Sequence, residues 1–532
     1  MAMYAIATKS LMIRLADGRV IQVWFADDSA AAGKLKDVKA WWDKLNEEGP
    51  KFGYYPQPPK THLILQSEDL MEEAIELFGN DENGVKINTE GFRHIGASLG
   101  NEEFKEEYVK NKVACWVNDI IELSKIAEEE PQAALSAYNI SLSKHWSFMQ
   151  RVVKDISRLF EPIEDAINEY LIPAICGRKV TPLERRILAL PYRLGGIGLI
   201  NPVTSADQAY EMSCGISEDL TELILKQEMD LRLLDKEKVK KKKGELLQIK
   251  NSKIQEEYSE LRDMLDEKTT RLLECAQEKG ASSWLSCLPI QKLGYSLNKR
   301  EFQDAICLRY GWPIPDTPTH CACGKINTID HMMTCGNGGY VIKRHNVLRN
   351  LEAKLLENVC KDVKIEPALL PTSNVIKGNK SEGARLDISA VGFWSECERT
   401  FFDVRITHPT ADSYMKKSMD VVYKQHEKEK KDVYNDRVMN VEKGSLTPLV
   451  FSTTGGMGPE CSKMNKRLAL LISNKNGEKY AHVLNHIRTR LRFALLKSIL
   501  VAIRGVRGQK KYQEKHINDI SFNLIPNIDT EI

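Results

Sequence analysis

The feature that most constrains the fold of this chain is an array of cysteine and histidine residues in "CACGKINTIDHMMTC". Cys321, Cys323, His331 and Cys335 follow the spacing Cys-x-Cys-x7-His-x3-Cys. Zinc takes four thiolate or imidazole ligands in tetrahedral geometry, and Gly324 permits the tight turn that such a knuckle needs. The pattern predicts a structural zinc site with no ligand position open for chemistry. The alternative is that two unrelated buried cysteines and a core histidine happen to lie close in sequence.

Two aspartates interrupt apolar, β-branched runs downstream: Asp387 in "RLDISAVGF" and Asp403 in "TFFDVRIT". Since an unpaired carboxylate on the inner face of a strand costs on the order of several kcal/mol, such positions need an explanation. Either both side chains point outward at strand ends, or they share a cation. Glu366 in "KIEPALLP", expected on a helix or its exit, would be a third acid. Such a set suits cleavage of a phosphodiester with Mg²⁺, which carboxylate oxygens bind and which activates water.

A nuclease site of this kind also needs a basic side chain beside the acids. Arg405, two residues after Asp403, could clamp a phosphate but cannot act as a base, because arginine does not deprotonate at usable pH. The predicted helix "YKQHEKEKKDVYNDRV" offers Lys424, Lys428 and Lys430 instead. We select Lys430 as the catalytic lysine.

Two further segments carry charged residues in a suggestive pattern. In "VWFADDSAAAG" we predict a strand, a tight turn and the start of a helix, with Asp27 and Asp28 at the turn. An exposed Asp-Asp turn is the ordinary explanation of such a pair. In the helical "NHIRTRLRFALLKSILVAIRGVRGQKK", basic residues such as Arg488 and Arg492 alternate with an apolar stripe. This helix either contacts nucleic-acid phosphates or has a cation-rich exposed face.

These motifs resemble parts of the polyprotein of LINE-type non-LTR retrotransposons. The zinc array, "RHN", "EP", "RLDIS", "FFDVRIT", a lysine after "HEKEK" and "TPLVFSTTGG" are similar to the zinc knuckle and restriction-like endonuclease of that family. In that family the catalytic set is the two strand aspartates and a migrated lysine, which fall on Asp387, Asp403 and Lys430. A proline usually precedes or neighbours the first aspartate, where this chain has Leu386.

The N-terminal part resembles a reverse-transcriptase palm. "FADD" is similar to its aromatic-Ala-Asp-Asp hairpin, and "GPKFGYYPQPPKTHLIL", the primer-grip-like "GFRHIGASLG" and a thumb-like helical region follow in order. The resemblance implies that Asp27 and Asp28 belong to the catalytic set of a polymerase. Because the upstream strand and fingers of such a polymerase are missing from the sequence, we expect no polymerisation by this chain alone. We assign nucleic-acid contacts to basic residues of these motifs: Lys60, Arg344, Arg405, Arg488 and Arg492.

Length and composition bound the remaining possibilities. A chain of 532 residues allows roughly three domains of about 150 residues each. Its net charge of +2 gives no global field, so any basic surface must be local. The N-terminus lacks a secretory leader pattern, and "LLKSILVAI" is too short to span a bilayer. We therefore expect a soluble, intracellular protein with no membrane partner. We also expect it to be nuclear.

We predict an α/β multidomain chain. It would contain a truncated reverse-transcriptase palm, a helical thumb, a helical connector, a small zinc knuckle and a restriction-endonuclease-like mixed sheet flanked by helices. The expected segments are palm 1–104, thumb 105–206, charged connector 207–284, linker and knuckle 285–340, endonuclease 341–475, and basic C-terminal helix and tail 476–532.

The resemblance implies a function for such a chain. A Mg²⁺-dependent endonuclease, supported by structural Zn²⁺, would nick target DNA so that the 3′-OH primes reverse transcription. The partners would be the DNA target and the RNA of the element. The rival hypothesis is a catalytically inactive, nucleic-acid-binding relic of a retroelement.

Overall fold

The computed structural model describes residues 2–79, 84–228, 234–371, 378–505 and 507; the predicted C-terminal tail from 508 to 532 lies outside them. Helices and small sheets form a mixed α/β structure, which confirms the predicted class. The helices are α1 (Ala2–Leu15), α2 (Leu35–Glu48), α3 (Met71–Phe78), α4 (Glu102–Ala127), α5 (Pro131–Ala137), α6 (Ser143–Val152), α7 (Glu161–Ala166), α8 (Ile172–Cys176), α9 (Pro182–Ala189), α10 (Pro202–Leu225), α11 (Lys236–Asp263), α12 (Glu267–Gln277), α13 (Ser283–Ser286), α14 (Lys299–Tyr310), α15 (Ile329–Thr334), α16 (Tyr340–Glu357), α17 (Met419–Asn440), α18 (Pro459–Asn476) and α19 (Tyr480–Arg504). The strands are β1 (Ile21–Phe25), β2 (Asp28–Ala32), β3 (His62–Ile64), β4 (Lys86–Asn88), β5 (Gly91–His94), β6 (Ala97–Gly100), β7 (Lys361–Ile365), β8 (Ile388–Val391), β9 (Arg399–Thr407) and β10 (Ser445–Ser452).

The chain forms two compact units, each assembled from three stretches of sequence. The first unit contains 1–120, 141–167 and 201–256, and the second contains 121–140, 168–200 and everything from residue 257 onward. Within the described residues, none of the helices combines the length and apolarity that crossing a bilayer requires.

The first unit contains three two-stranded ladders. β1 and β2 pair as an antiparallel hairpin, β3 and β4 are parallel, and β5 and β6 form a second hairpin. The prediction that a helix starts directly after the "FADD" turn is wrong. The small residues after the turn form β2, and α2 begins only at Leu35. Pairing with β1 overrides the helix propensity of the alanines there. The hairpin and α2 pack around a buried apolar cluster of Leu11, Leu15, Val20, Trp41 and Leu45.

The second unit contains a four-stranded mixed sheet in the order β10-β9-β8-β7. β7, β8 and β9 are antiparallel neighbours, whereas β10 runs parallel to β9, and α17 makes the crossover between them. Helix α16 contacts β7, β8 and β9, and α17 and α18 contact β10. One apolar cluster of this unit consists of Leu369, Ala384, Leu386, Phe401, Val438 and Leu446.

The interface of α16 with α18 contains a buried acid. Glu352 of α16 is fully buried, and the nearby polar groups are the amide of Asn465 and the thiol of Cys461, both on α18. Burial raises the pKa of Glu352 to about 8, against the smaller opposing effect of the nearby Asn465 amide. Glu352 is therefore mainly protonated in the folded chain at neutral pH.

Replacing Glu352 by glutamine is expected to remove part of the pH dependence of stability. Because the folded-state pKa of about 8 exceeds the ordinary 4.5, the folded state holds this proton more tightly. Its contribution to stability therefore falls as pH rises between these values, at up to about 1.4 kcal/mol per pH unit. Denaturant unfolding at pH 5 and pH 9 gives the free energy of unfolding of both proteins. Between these pH values, the free energy of unfolding of Glu352→Gln should rise by about 2–4 kcal/mol relative to that of the wild type. The exposed Glu357 at the end of the same helix gives the control, Glu357→Gln; an equal gain there would contradict the prediction.

Candidate metal centre and carboxylate site

Four ligand atoms of the cysteine-histidine array converge in the second unit. The sulfurs of Cys321, Cys323 and Cys335 and a ring nitrogen of His331 all lie within 4.8 Å of one another. Cys321 Sγ is 3.9 Å from Cys335 Sγ, and Cys323 Sγ is 3.2 Å from His331 Nε2. Zinc–sulfur bonds of about 2.3 Å at tetrahedral angles place sulfurs a little under 4 Å apart. This Cys3His cluster could bind a metal such as zinc.

Local backbone geometry brings these ligands together. Gly324 has a φ of +86°, and its N–H donates to the carbonyl of Cys321 over 2.8 Å, which closes the turn after the second cysteine. The hydroxyl of Thr328 caps α15 by accepting from the N–H of His331. The cap fixes where α15 begins, so that His331 lies on the helix and Cys335 directly follows it.

Helix α15 is tied to the end of β9 through Asp330. Its Oδ1 accepts a hydrogen bond from Thr410 Oγ1 over 2.6 Å and lies 2.9 Å from His408 Nε2, while Lys268 Nζ donates to Oδ2 over 2.5 Å. Burial opposes ionisation, but His408 and Lys268 outweigh it and hold the pKa of Asp330 well below its usual range. Sequence reasoning missed this connection, because nothing in the spacing of these residues links them.

The antiparallel register of β8 and β9 brings Asp387 and Asp403 together. Ile388 pairs with Phe402, so Asp387, which directly precedes β8, comes opposite Asp403. Asp387 Oδ2 accepts the N–H of Val404 over 2.6 Å, and the two carboxyl groups lie close enough for the charge of Asp387 to raise the pKa of Asp403. The reading in which both aspartates point outward is therefore not what the structure shows: Asp403 is only 5% exposed.

Lys430 of α17 completes this group. Its Nζ lies 2.6 Å from Asp403 Oδ2. Burial raises the pKa of Asp403 to about 6; Lys430 opposes this shift and the negative charge of Asp387 adds to it. Of the other two candidate lysines, Lys424 pairs with Asp420 over 2.6 Å and Lys428 is exposed.

His345 of α16 lies on the other side of Asp387. Its Nε2 is 3.2 Å from Asp387 Oδ2 and 3.1 Å from the carbonyl oxygen of Val404. Burial lowers the pKa of His345, but the hydrogen bond and charge of Asp387 outweigh this and raise it above its ordinary value. For Asp387, burial raises the pKa, yet His345 and the further hydrogen bonds hold it below 3.8. In the sequence, His345 is marked only as part of the motif "RHN", which by itself assigns this histidine no role.

Glu366 and Arg405 lie on or beside the same sheet. Glu366 was expected on a helix or its exit; it instead directly follows strand β7, with a φ of +51°. Its backbone N–H donates to the carbonyl of Asp387, while its carboxylate pairs with Arg349 and lies 3.8 Å from Arg385. Arg405 is exposed on β9, two residues from Asp403 and therefore on the same face of the strand.

Two of the arginines expected to contact nucleic acid are buried. Arg344 donates to the carbonyl of Met333 over 3.2 Å, and Arg492 donates through Nε to the carbonyl of Ala281 over 3.0 Å. Burial lowers the pKa of Arg492 to about 9. For Arg492 the predicted place on an exposed basic face is wrong, and the guanidinium groups of both arginines donate to a backbone carbonyl inside the second unit. Arg488, one turn before Arg492, is only half-buried.

The predicted polymerase residues lie in the first unit. Asp28 begins β2 opposite Phe25, and Asp27 lies in the two-residue turn between the strands; both side chains are exposed. The hydroxyl of Tyr54 donates to the carbonyl of Asp27 over 3.1 Å, which ties the turn to the segment after α2. Lys60 is exposed at the end of a short 3-10 turn. This geometry is that of an exposed Asp-Asp hairpin.

No protein-family model matches this chain, and no curated protein matches it significantly. What the chain does must therefore be inferred from the chemistry of the two sites.

Proposed function

We propose that the second unit is a metal-dependent DNA endonuclease in a retroelement-derived protein. The observation that carries the proposal is the grouping of Asp387, Asp403 and Lys430, which come from the start of β8, from β9 and from α17. Two neighbouring carboxyl groups, with a lysine ammonium 2.6 Å from one of them, would form a site for a cation and a phosphate.

The donor set fits Mg²⁺, which prefers carboxylate oxygens. The raised pKa of Asp403 reflects a buried site with too little positive charge for two carboxylates, a deficit that a divalent ion would remove. When bound, the ion would neutralise phosphate charge and lower the pKa of an attacking water. Asp387 and Asp403 would hold it, Lys430 would stabilise developing charge, and the exposed Arg405 would bind a neighbouring phosphate.

The proposed substrate is target DNA, nicked so that its 3′-OH primes copying of the RNA of the element. This part rests on the resemblance in motif order, from the "FADD" hairpin through the zinc array to the two strand aspartates. Asp27 and Asp28 would belong to the palm of the reverse transcriptase of the element. A nuclear location follows from such a role.

The proposal predicts nicking of supercoiled plasmid by the full chain in Mg²⁺. Lys430→Met is expected to slow nicking about 100-fold, because the variant loses the charge beside Asp403. The matched control is Lys424→Met, on the same helix but paired with Asp420 on its exposed side. It should nick at the wild-type rate.

Open-circular product measured over time distinguishes the outcomes. No nicking by the wild type in Mg²⁺ or Mn²⁺ would remove the nuclease proposal and favour the inactive relic. If nicking is slowed equally in the Lys430 and Lys424 variants, Lys430 has no specific role in the site.

A further inference from the structure

His345 makes an unusual pair of contacts from the middle of a mostly buried helix face. Its Nε2 is within hydrogen-bonding distance of both Asp387 Oδ2 and the carbonyl of Val404. Since a carbonyl oxygen can only accept, Nε2 carries the proton and donates to both oxygens. The other ring nitrogen, Nδ1, lies 3.3 Å from Oδ1 of Asn346. The proton on Nε2 is thus fixed by the backbone of β9.

His345 lies on the face of α16 that is turned toward the sheet. His345, Arg349 and Glu352 are spaced four and three residues apart, so they share one face of the helix. Along this face His345 meets Asp387 and Arg349 meets Glu366, each beside a strand of the sheet. Helix α16 also contacts β8 and β9 directly, which holds the imidazole at the carboxylate.

The same oxygen of Asp387 accepts a second hydrogen bond. Val404 N–H donates to Oδ2 over 2.6 Å, so that two donors, one backbone and one imidazole, both engage Oδ2. With Oδ2 occupied twice, the carboxylate plane is fixed and Oδ1 is the oxygen left to meet a cation. Outer hydrogen bonds of this kind set the orientation of metal-binding carboxylates.

We propose that His345 is a positioning residue, which orients Asp387 so that its carboxylate binds the divalent ion together with Asp403. This inference rests on the proposed nuclease function, in which the bound ion would serve cleavage. What it predicts directly is the affinity of the carboxylate pair for a divalent ion, and this affinity can be measured without any cleavage.

Two amide variants make a matched test. Glutamine at 345 can carry an N–H at the position of Nε2, four bonds from Cα, whereas asparagine reaches only as far as Nδ1. We expect His345→Asn to weaken Mn²⁺ binding about 10-fold and His345→Gln to stay within about 3-fold of the wild type. Mn²⁺ binding would be followed by electron paramagnetic resonance on the zinc-loaded full chain. Asp387→Asn identifies the relevant signal: the Mn²⁺ site that is lost in this variant is the site whose affinity is compared.

Single-turnover nicking at saturating plasmid gives the second readout. With Mg²⁺ held near half-saturation, His345→Asn should nick about 10-fold more slowly, recover at high Mg²⁺, and keep the wild-type plasmid affinity. A merely structural role would lower the unfolding temperature without this dependence on the cation.

The outcomes separate the inference from the proposed function. Wild-type Mn²⁺ affinity in His345→Asn, equal weakening in both amide variants, or no Mn²⁺ site that depends on Asp387 would each overturn the role of His345. A wild type that binds Mn²⁺ with the expected ranking but never nicks DNA would overturn the nuclease function and leave the positioning role standing.

Discussion

The Asp403→Asn variant is expected to nick plasmid at least about 1,000-fold more slowly than the wild type, and yet to unfold at a higher temperature. The loss follows because asparagine removes a charged ligand of the proposed ion. The gain follows because Asp403 is buried against a second carboxyl group, which raises its pKa to about 6 from an ordinary 3.8. A residue that serves only folding would not show this combination.

The size of the stability gain depends on pH. Because the folded-state pKa of Asp403 lies above the ordinary one, the folded state binds the proton more tightly, and stability falls as pH rises from about 4 to about 6. Above that range the charged form carries its full burial cost, offset in part by Lys430. At pH 8 without added Mg²⁺, Asp403→Asn should therefore be more stable by about 1–3 kcal/mol, with no advantage at pH 3.5.

Denaturant unfolding and plasmid nicking on the same preparations test both halves of this prediction. The control is Asp420→Asn on α17, where an exposed aspartate pairs with Lys424; it should keep its nicking rate and lose a little stability. Destabilisation of Asp403→Asn at pH 8 would show that the ion pair with Lys430 outweighs burial. Nicking at the wild-type rate would show that Asp403 holds no essential ion.

The parts of the sites that the sequence predicted are those encoded at short range. The four zinc-ligand candidates lie within fifteen residues, so their spacing alone predicts convergence, and the observed cluster confirms that convergence. Asp387 and Asp403 interrupt two successive strand-like runs, and antiparallel pairing of such runs brings residues opposite each other. The catalytic roles assigned to these residues stay predictions.

What the sequence did not reveal depends on packing between distant segments. Arg344 and Arg492 carry the charge expected for nucleic-acid contacts, but both side chains point inward, where each donates to a backbone carbonyl. Periodicity identifies an apolar stripe but cannot tell whether a flanking arginine is exposed. The contact of Asp330 with His408 joins residues 78 positions apart, so it follows only from the way α15 packs against the end of β9.

Loss of the predicted zinc site is expected to destabilise the second unit beyond the knuckle itself. Without an ion, three thiolates and an imidazole have nothing to hold them together, and binding energy that supports α15 is lost. Asp330, one residue before the ligand His331, would then release His408 and Thr410, which follow the strand that carries Asp403. Cys335→Ser should therefore lower the free energy of unfolding by about 3 kcal/mol or more, and slow nicking as well.

Three measurements check this chain of effects in Cys335→Ser: the zinc content of the purified chain, thermal unfolding, and amide hydrogen exchange of residues 404–410. We expect one zinc per wild-type chain, strong loss in the variant, and faster exchange at the end of β9 because its link to α15 is gone. The exposed Cys397 lies outside the ligand cluster, so Cys397→Ser is the matched control and should behave as the wild type. A zinc-free wild type that melts like Cys335→Ser would contradict the site. If zinc is lost but hydrogen exchange at 404–410 is unchanged, the effect of zinc is confined to the knuckle. Asp330 then does not transmit that effect to the strand that carries Asp403.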